Sequence, residues 1–178
     1  MIARRETERE GVRSVVLVLG LGNPLRGDDG IGPRVVAELE DQELPEGVEV
    51  LDGGTGGLDL LQIMEGRDRV VIVDAAEVGG ECPGVAPGQF VRFTPDRVHL
   101  AGGAGGAPED GFSSHHAGLA EVLALAQALE RPLPSIVVFG VQPKRVGWGE
   151  GLSPEVETRL PDLILAVLAE VNEGGAAV

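Results

Sequence analysis

Six side chains of this 178-residue sequence bring oxygen and imidazole groups to positions where they could do chemistry. Four are carboxylates that follow short apolar runs, and two are adjacent histidines before a helical pattern: Asp28, Asp29, Asp52, Asp74, His115 and His116. Carboxylate oxygens and an imidazole nitrogen together suit a divalent transition metal such as nickel, zinc or manganese. Carboxylates held together without a cation would repel one another. The six residues therefore predict a metal-dependent site, if the fold brings them to one place.

Most of these residues also have a purely structural explanation. Asp28 or Asp29 could cap the helix that follows, and Asp52 could accept a hydrogen bond from its own glycine turn. One of the two histidines could be an ordinary residue of a first helical turn. Asp74 is harder to explain in this way, because it ends an apolar run and a buried carboxylate needs a partner.

The strands and helices that must position these residues follow from the apolar patterns. Continuous apolar runs predict strands that are buried on both faces, and stripes at helical spacing predict helices. The predicted strands are 15–19, 48–51, 69–74, 89–93 and 136–139, and helices should begin near 28–33, 58, 114 and 153. The second helix should turn Leu58, Leu61 and Met64 inward.

The fourth strand decides the topology. Too few residues separate it from the third strand for the crossover that parallel pairing requires, so it should run antiparallel in a mixed sheet. The other four strands then end at the same edge, which collects the carboxylates and the start of the third helix. The segment from Thr94 to Ser113 must carry the chain back to that edge, and its glycine-rich part at 101–107 receives no function.

Composition limits the possible partners and location. The hydrophobic fraction of 43% is enough for a full core, and we expect one domain at 14–178 after a flexible tail at 1–13. A net charge of −15 argues against nucleic acid or an anionic membrane as partner. The single cysteine, Cys82, excludes an internal disulfide and a multi-thiolate zinc site. No apolar run approaches the ~20 residues of a membrane span, and we expect a cytoplasmic monomer.

Five short motifs, in this order, resemble those of the hydrogenase maturation endopeptidases. They are Gly20-Leu21-Gly22-Asn23 with Asp28-Asp29-Gly30-Ile31-Gly32, then Leu51-Asp52-Gly53-Gly54-Thr55-Gly56-Gly57, Val73-Asp74-Ala75, His115-His116-Ala117-Gly118-Leu119 and Gly140-Val141-Gln142-Pro143. The resemblance extends from about Val15 to the last helix. It implies a three-layer α/β sandwich on a five-stranded, mostly parallel mixed sheet. It also implies an endopeptidase that removes the C-terminal extension of the large-subunit precursor of a nickel–iron hydrogenase.

The resemblance also implies roles for particular residues. Asp29, Asp74 and His115 match the family's metal-contacting positions, and Asp52 matches a position suspected of aiding cleavage. The resemblance implies that the metal is nickel, that the substrate supplies it and that it serves as the recognition element; other divalent metals could substitute for it. Contacts to the substrate are assigned to Asp28, Gly53, Gly54, Thr55 and His116.

Three other functions remain open. A peptidyl-tRNA hydrolase also begins with a Gly-Leu-Gly-Asn-Pro turn, but it needs a basic surface for RNA. A dinucleotide-binding protein would use Gly20 and Gly22, but Gly27 follows five residues later rather than three, and Asp28 and Asp29 would face the pyrophosphate. A non-catalytic metal-binding adaptor is the third. No Ser-His-Asp order and no His-Glu-x-x-His helix is evident, so neither an acyl-enzyme nor an ordinary zinc protease is predicted.

Overall fold

The computed structural model describes residues 15–78, 84–95 and 114–174, except for the side chains of 114–118, 120, 173 and 174. Five strands form one sheet: β1 (Val16–Gly20), β2 (Val48–Asp52), β3 (Arg69–Ala75), β4 (Phe90–Phe93) and β5 (Ser135–Val141). Their order is β2-β1-β3-β5-β4. Four strands are parallel, and β4 runs antiparallel to its neighbour β5. The predicted mixed sheet is confirmed.

Helices cover both faces of the sheet. They are α1 (Ile31–Glu40), α2 (Asp59–Met64), α3 (Ser114–Ala128) and α4 (Pro154–Gly174), and a single 3-10 turn, Asp28–Gly30, precedes α1. Helices α1 and α4 pack on one face, and α2 and α3 pack on the other. This arrangement confirms the three-layer α/β sandwich.

The central strands are apolar at successive positions because they supply both cores. In β3, Val70 and Ile72 pack on the side of α2 and α3, whereas Val71 and Val73 pack on the side of α1 and α4. Successive side chains of a strand point to opposite faces, so a strand covered on both faces must be apolar throughout. Edge strand β2 is only partly buried.

The predicted inward face of α2 is wrong in part. Leu58 precedes the helix and is 67% exposed, whereas Leu60 and Met64 are buried. The helix begins at Asp59, and Leu60 and Met64 are four residues apart on one helical face. Leu61 packs only at the margin of that core.

The start of α1 lies directly on the ends of β1 and β3 because glycines remove the side chains between them. A Cβ atom on Gly20 would lie 2.3 Å from the carbonyl oxygen of Gly32. A Cβ atom on Gly32 would lie 2.2 Å from the carbonyl oxygen of Leu21 and 2.7 Å from that of Val73. These contacts bring the 3-10 turn, with its two aspartates, to the C-terminal edge of the sheet.

Replacing Gly32 with alanine should therefore destabilise the protein by about 2–3 kcal/mol, since the added methyl group would meet backbone atoms that cannot move aside. Urea unfolding followed by circular dichroism would measure the change. Gly147→Ala is the matched control, because a Cβ atom there meets nothing within 4 Å. We expect its effect to stay within about 0.5 kcal/mol. Equal stability of Gly32→Ala and the unsubstituted chain would contradict the close packing.

Ion pairs hold the C-terminal part of α4 against the sheet. Glu170 is buried, and its carboxylate pairs with Arg69 at the start of β3 and with Arg92 on β4. This ion-paired group lies at the edge opposite the aspartates. None of the helices in the described ranges is long and apolar enough to cross a membrane. The tail at 1–13, Cys82 and the stretch at 101–107 lie outside the described residues, and the single-domain assignment stays a prediction.

Candidate functional site at the C-terminal edge of the sheet

The turn between β1 and α1 places two adjacent carboxylates inside the protein. Asp28 and Asp29 occupy the 3-10 turn, and each is only 1% exposed. Gly22 has a φ of 127°, and a Cβ atom on it would lie 1.8 Å from the carbonyl oxygen of Asp29. Only glycine allows the turn after β1 to lie so close to Asp29. The 3-10 turn also contacts β3, the strand that contains Asp74.

Asp29 is held by the loop that leads into its own turn. The backbone N–H of Asn23 donates to Asp29 Oδ2 at 3.0 Å, and the side-chain Oδ1 of Asn23 accepts from the N–H of Leu25 at 2.9 Å. The Gly-Asn-Pro turn thus folds back on the carboxylate and orients it.

Asp28 has a different environment, although it is the neighbouring residue. Its Oδ2 accepts hydrogen bonds from the backbone N–H groups of Lys144 and Arg145, both at 2.8 Å, and from the hydroxyl of Ser153 at 2.9 Å. Its Oδ1 accepts from the N–H of Ser153 at 2.6 Å. Both oxygens are therefore used within the chain, and Asp28 anchors the loop between β5 and α4. These contacts argue against the predicted substrate contact and favour a structural role.

Asp74 lies near the end of β3, beside Gly140 of β5, and is 1% exposed. By strand alternation its side chain shares a face with Val70 and Ile72, the face covered by α2 and α3. Helix α3 ends shortly before β5 begins, so its first turn lies towards the same edge as Asp74. That turn contains the backbone of His115 and His116. Their side chains lie outside the described residues, so the histidine ligand stays a prediction.

Asp52 ends β2 at the same edge, level with Gly20 of the neighbouring strand. It is exposed, and its Oδ1 accepts a hydrogen bond from the N–H of Gly54 at 2.8 Å, which is the local turn role weighed above. Strand alternation places Asp52 on the face of Val48 and Val50, which is the α1 and α4 side. Asp52 and Asp74 thus belong to opposite faces of the sheet, two strands apart.

The glycine loop after Asp52 is joined to the loop after β1. The N–H of Gly53 donates to the carbonyl of Gly20 at 2.8 Å, and the N–H of Gly22 donates to that of Gly54 at 2.7 Å. Gly53 and Gly54 are half-buried and Thr55 is exposed. This junction lines the edge beside Asp29, and the substrate contacts assigned to these three residues stay predictions.

Two positioning residues were missed by sequence reasoning. Gln142 is buried; its side-chain oxygen accepts from the N–H of Val78 at 2.9 Å, and its Nε2 donates to Glu77 at 2.8 Å. It therefore ties the chain that follows Asp74 to the end of β5. Ser153, expected only to begin the last helix, also holds Asp28. A polar residue directly after a buried strand was the available signal for Gln142.

At this edge, Asp29 in the 3-10 turn and Asp74 in β3 can supply carboxylate oxygens. Among the side chains that the structure describes, no three acids, histidines or cysteines form a group that could hold a metal ion. The predicted set needs an imidazole from α3 as its third member. Oxygen and imidazole donors fit a borderline divalent ion such as nickel.

The comparisons with known proteins assign the chain to a class. Residues 33–170, well over half of the chain, match the model of a family described as hydrogenase maturation protease. The hydrogenase expression/formation protein HupD of Bradyrhizobium diazoefficiens is 37% identical over 160 residues, which cover 87% of this chain and 78% of that protein. The hydrogenase 2 maturation protease of Escherichia coli is 35% identical over 161 residues, covering 90% and 92% of the two chains.

A solved structure agrees with these sequence relatives. The hydrogenase maturating endopeptidase HybD from Escherichia coli superposes with a TM-score of 0.75 at 34% identity, covering 90% of this chain and 94% of that chain. This chain belongs to the hydrogenase maturation protease family, and it is a hydrolase of the endopeptidase type. The resemblance noted in the sequence is confirmed. Membership in a protease family decides against the tRNA hydrolase, the dinucleotide-binding protein and the adaptor.

Proposed function

We propose that this endopeptidase removes the C-terminal extension of a nickel-loaded large-subunit precursor of a nickel–iron hydrogenase. The enzyme acts as a cytoplasmic monomer, without a nucleic-acid or membrane partner. The observation that supports the proposal is the pair of buried carboxylates, Asp29 and Asp74, at the edge towards which α3 begins. A solved relative from Thermococcus kodakarensis, 28% identical with a TM-score of 0.66, is itself described as a [NiFe] hydrogenase maturation protease.

In this proposal the nickel belongs to the substrate and is the feature that the protease recognises. Asp29, Asp74 and His115 contact the ion while ligands from the precursor occupy its other positions. The supporting argument is chemical, since two carboxylates and one imidazole suit a borderline divalent ion, and another such ion could substitute. The bound ion supplies polarisation of the scissile carbonyl. The chain's own residues orient the precursor, and Asn23 holds the Asp29 carboxylate in place for this purpose.

Asp52 is the proposed proton acceptor for the attacking water. It is exposed at the same edge, and only its Oδ1 is used by the turn, through the N–H of Gly54. A positioned carboxylate can act as a general base when the reacting proton lies within hydrogen-bonding distance. Because Asp52 and Asp74 belong to opposite faces of the sheet, the peptide must cross the edge between them, over the loops joined at Gly22 and Gly54.

Cleavage should depend on nickel in the precursor. When the protease and a nickel–iron hydrogenase precursor are co-expressed, mass spectrometry should show loss of the C-terminal extension in nickel-containing medium and the full-length precursor without nickel. A precursor that cannot be loaded, because its own nickel ligands are substituted, is the matched control. Equal processing with and without nickel would contradict nickel recognition, whereas absence of processing under both conditions would contradict the proposed substrate.

A further inference from the structure

The exposed apolar side chains of the described residues are concentrated at one end of the molecule. Five of the seven large ones lie at the C-terminal edge of the parallel strands, the edge of the candidate site; these are Leu25, Leu51, Leu58, Val146 and Trp148. The other two, Leu129 and Leu165, lie after α3 and on α4. Exposed apolar surface collected in one place is typical of a protein interaction site.

Three of these side chains lie on a rigid framework that we name the docking ridge, formed by residues 24–27 and 144–149. Three backbone hydrogen bonds join its two segments: Gly27 N–H to Gly149 O at 2.8 Å, Gly149 N–H to Leu25 O at 3.0 Å and Gly147 N–H to Arg26 O at 3.3 Å. A fourth, from the N–H of the following residue Asp28 to Arg145 O at 3.1 Å, joins the ridge to the 3-10 turn. The ridge presents Leu25, Val146 and Trp148, and Trp148 is 84% exposed. Because the backbone on both sides of Trp148 is hydrogen-bonded, a partner that covers this residue has to order only its side chain and not the loop.

The docking ridge also carries three basic side chains on a strongly acidic protein, and two of them have no ion pair among the described residues. The net charge of the chain is −15, yet Arg26, Lys144 and Arg145 lie together on the ridge. Among the described residues, neither Arg26 nor Arg145 forms an ion pair or a side-chain hydrogen bond, and Lys144 Nζ lies 3.8 Å from Glu155. A cationic patch on an acidic protein attracts the carboxylates of a partner.

The ridge is joined directly to the candidate site. The backbone N–H groups of Lys144 and Arg145 donate to Asp28, the residue next to Asp29 in the 3-10 turn. A protein seated on the ridge is therefore beside the carboxylate proposed to contact nickel. Tryptophan and arginine are the residue types most often responsible for binding energy in protein interfaces.

We propose that the docking ridge binds a segment of the hydrogenase precursor that carries both apolar and carboxylate side chains. Trp148 is the apolar anchor, with Leu25 and Val146 beside it, and Arg26 and Arg145 pair with the carboxylates. This inference rests on the proposed function and deepens it, because it assigns precursor binding to a surface separate from the nickel-contacting residues.

Substitution of the anchor should weaken binding without slowing the chemical step. With the nickel-loaded precursor as substrate, Trp148→Ala should raise KM about 30-fold and leave kcat within about twofold. Arg145→Gln should raise KM less, and the increase should shrink in high salt because the ion pair is screened. The controls are Leu165→Ala and Arg159→Gln, exposed residues of α4 away from the ridge. An unchanged KM for Trp148→Ala would overturn the proposal.

A binding measurement separates this inference from the proposed function. Trp148 is the only tryptophan in the chain, so the protein labelled with fluorotryptophan has one ¹⁹F resonance. Unlabelled nickel-loaded precursor should shift that resonance whether or not cleavage follows. An unshifted resonance during cleavage would overturn the docking ridge while the proposed function stands. A shift without cleavage would support the ridge and contradict the proposed function. If the ¹⁹F resonance shifted with protease concentration and not with added precursor, the ridge would bind a second copy of the protease, and the proposed precursor binding would be wrong.

Discussion

Replacing Asp74 with alanine should reduce cleavage of a nickel-loaded precursor at least about 100-fold while the protein remains folded. The expected loss reflects removal of a carboxylate proposed to contact nickel, and loss of even a supporting residue at a metal site costs 10–100-fold. The fold should survive because the ladders between β3 and its neighbours β1 and β5 are made by the backbone. Mass spectrometry of the precursor measures cleavage, and circular dichroism confirms the fold.

Matched variants test whether the Asp74 effect belongs to the site. Asp74→Asn keeps the side-chain shape and removes the charge, so it should lose nearly as much activity. Asp162→Asn removes an exposed carboxylate of α4 and should keep full activity. The same assay distinguishes the histidines, since His115→Ala should match Asp74→Ala, whereas His116→Ala removes only a predicted substrate contact and should lose less cleavage. Normal processing by Asp74→Ala would remove that residue from the site.

Replacing Asp28 with alanine should instead destabilise the whole protein, by about 3–5 kcal/mol. The substitution leaves four hydrogen-bond donors of the 144–153 loop without an acceptor: the buried N–H and hydroxyl groups of Ser153 and the part-buried N–H groups of Lys144 and Arg145. A buried donor without a partner costs about 1–3 kcal/mol of folding free energy. The total is smaller than the sum because the loop can open and let water bind some of these donors. The midpoint of urea unfolding measures the loss.

Two controls accompany the Asp28 substitution. Asp28→Asn should also destabilise, because an amide NH₂ would face an N–H donor at either oxygen position. Asp162→Ala removes an exposed carboxylate 3.3 Å from Arg159 and should cost no more than about 1 kcal/mol. If Asp28→Ala kept normal stability and lost only precursor binding, the substrate contact would be correct and the structural role would be wrong.

Most of the fold could be predicted because both cores appear in the local sequence pattern. The continuous apolar runs of β1, β3 and β5 indicate burial on two faces. In α3, the apolar residues at helical spacing, Leu119, Val122, Leu123 and Ala126, are buried. The neighbour of β4 could not be predicted, since the argument from connection length fixed only its direction.

The sequence by itself determined the family and the order of the strands and helices along the chain. It also determined the edge of the sheet at which the acidic residues lie. Only the tertiary structure showed that Asp28, to which the resemblance assigned a substrate contact, is held by hydrogen bonds within the chain. Asp28 and its neighbour Asp29 have the same side chain and the same local signal, but the loop that holds Asp28 is more than 115 residues away. The structure likewise assigned Asp52 and Asp74 to opposite faces, through strand pairing and alternation. Such differences arise from contacts between distant segments, which local patterns of residue type do not record.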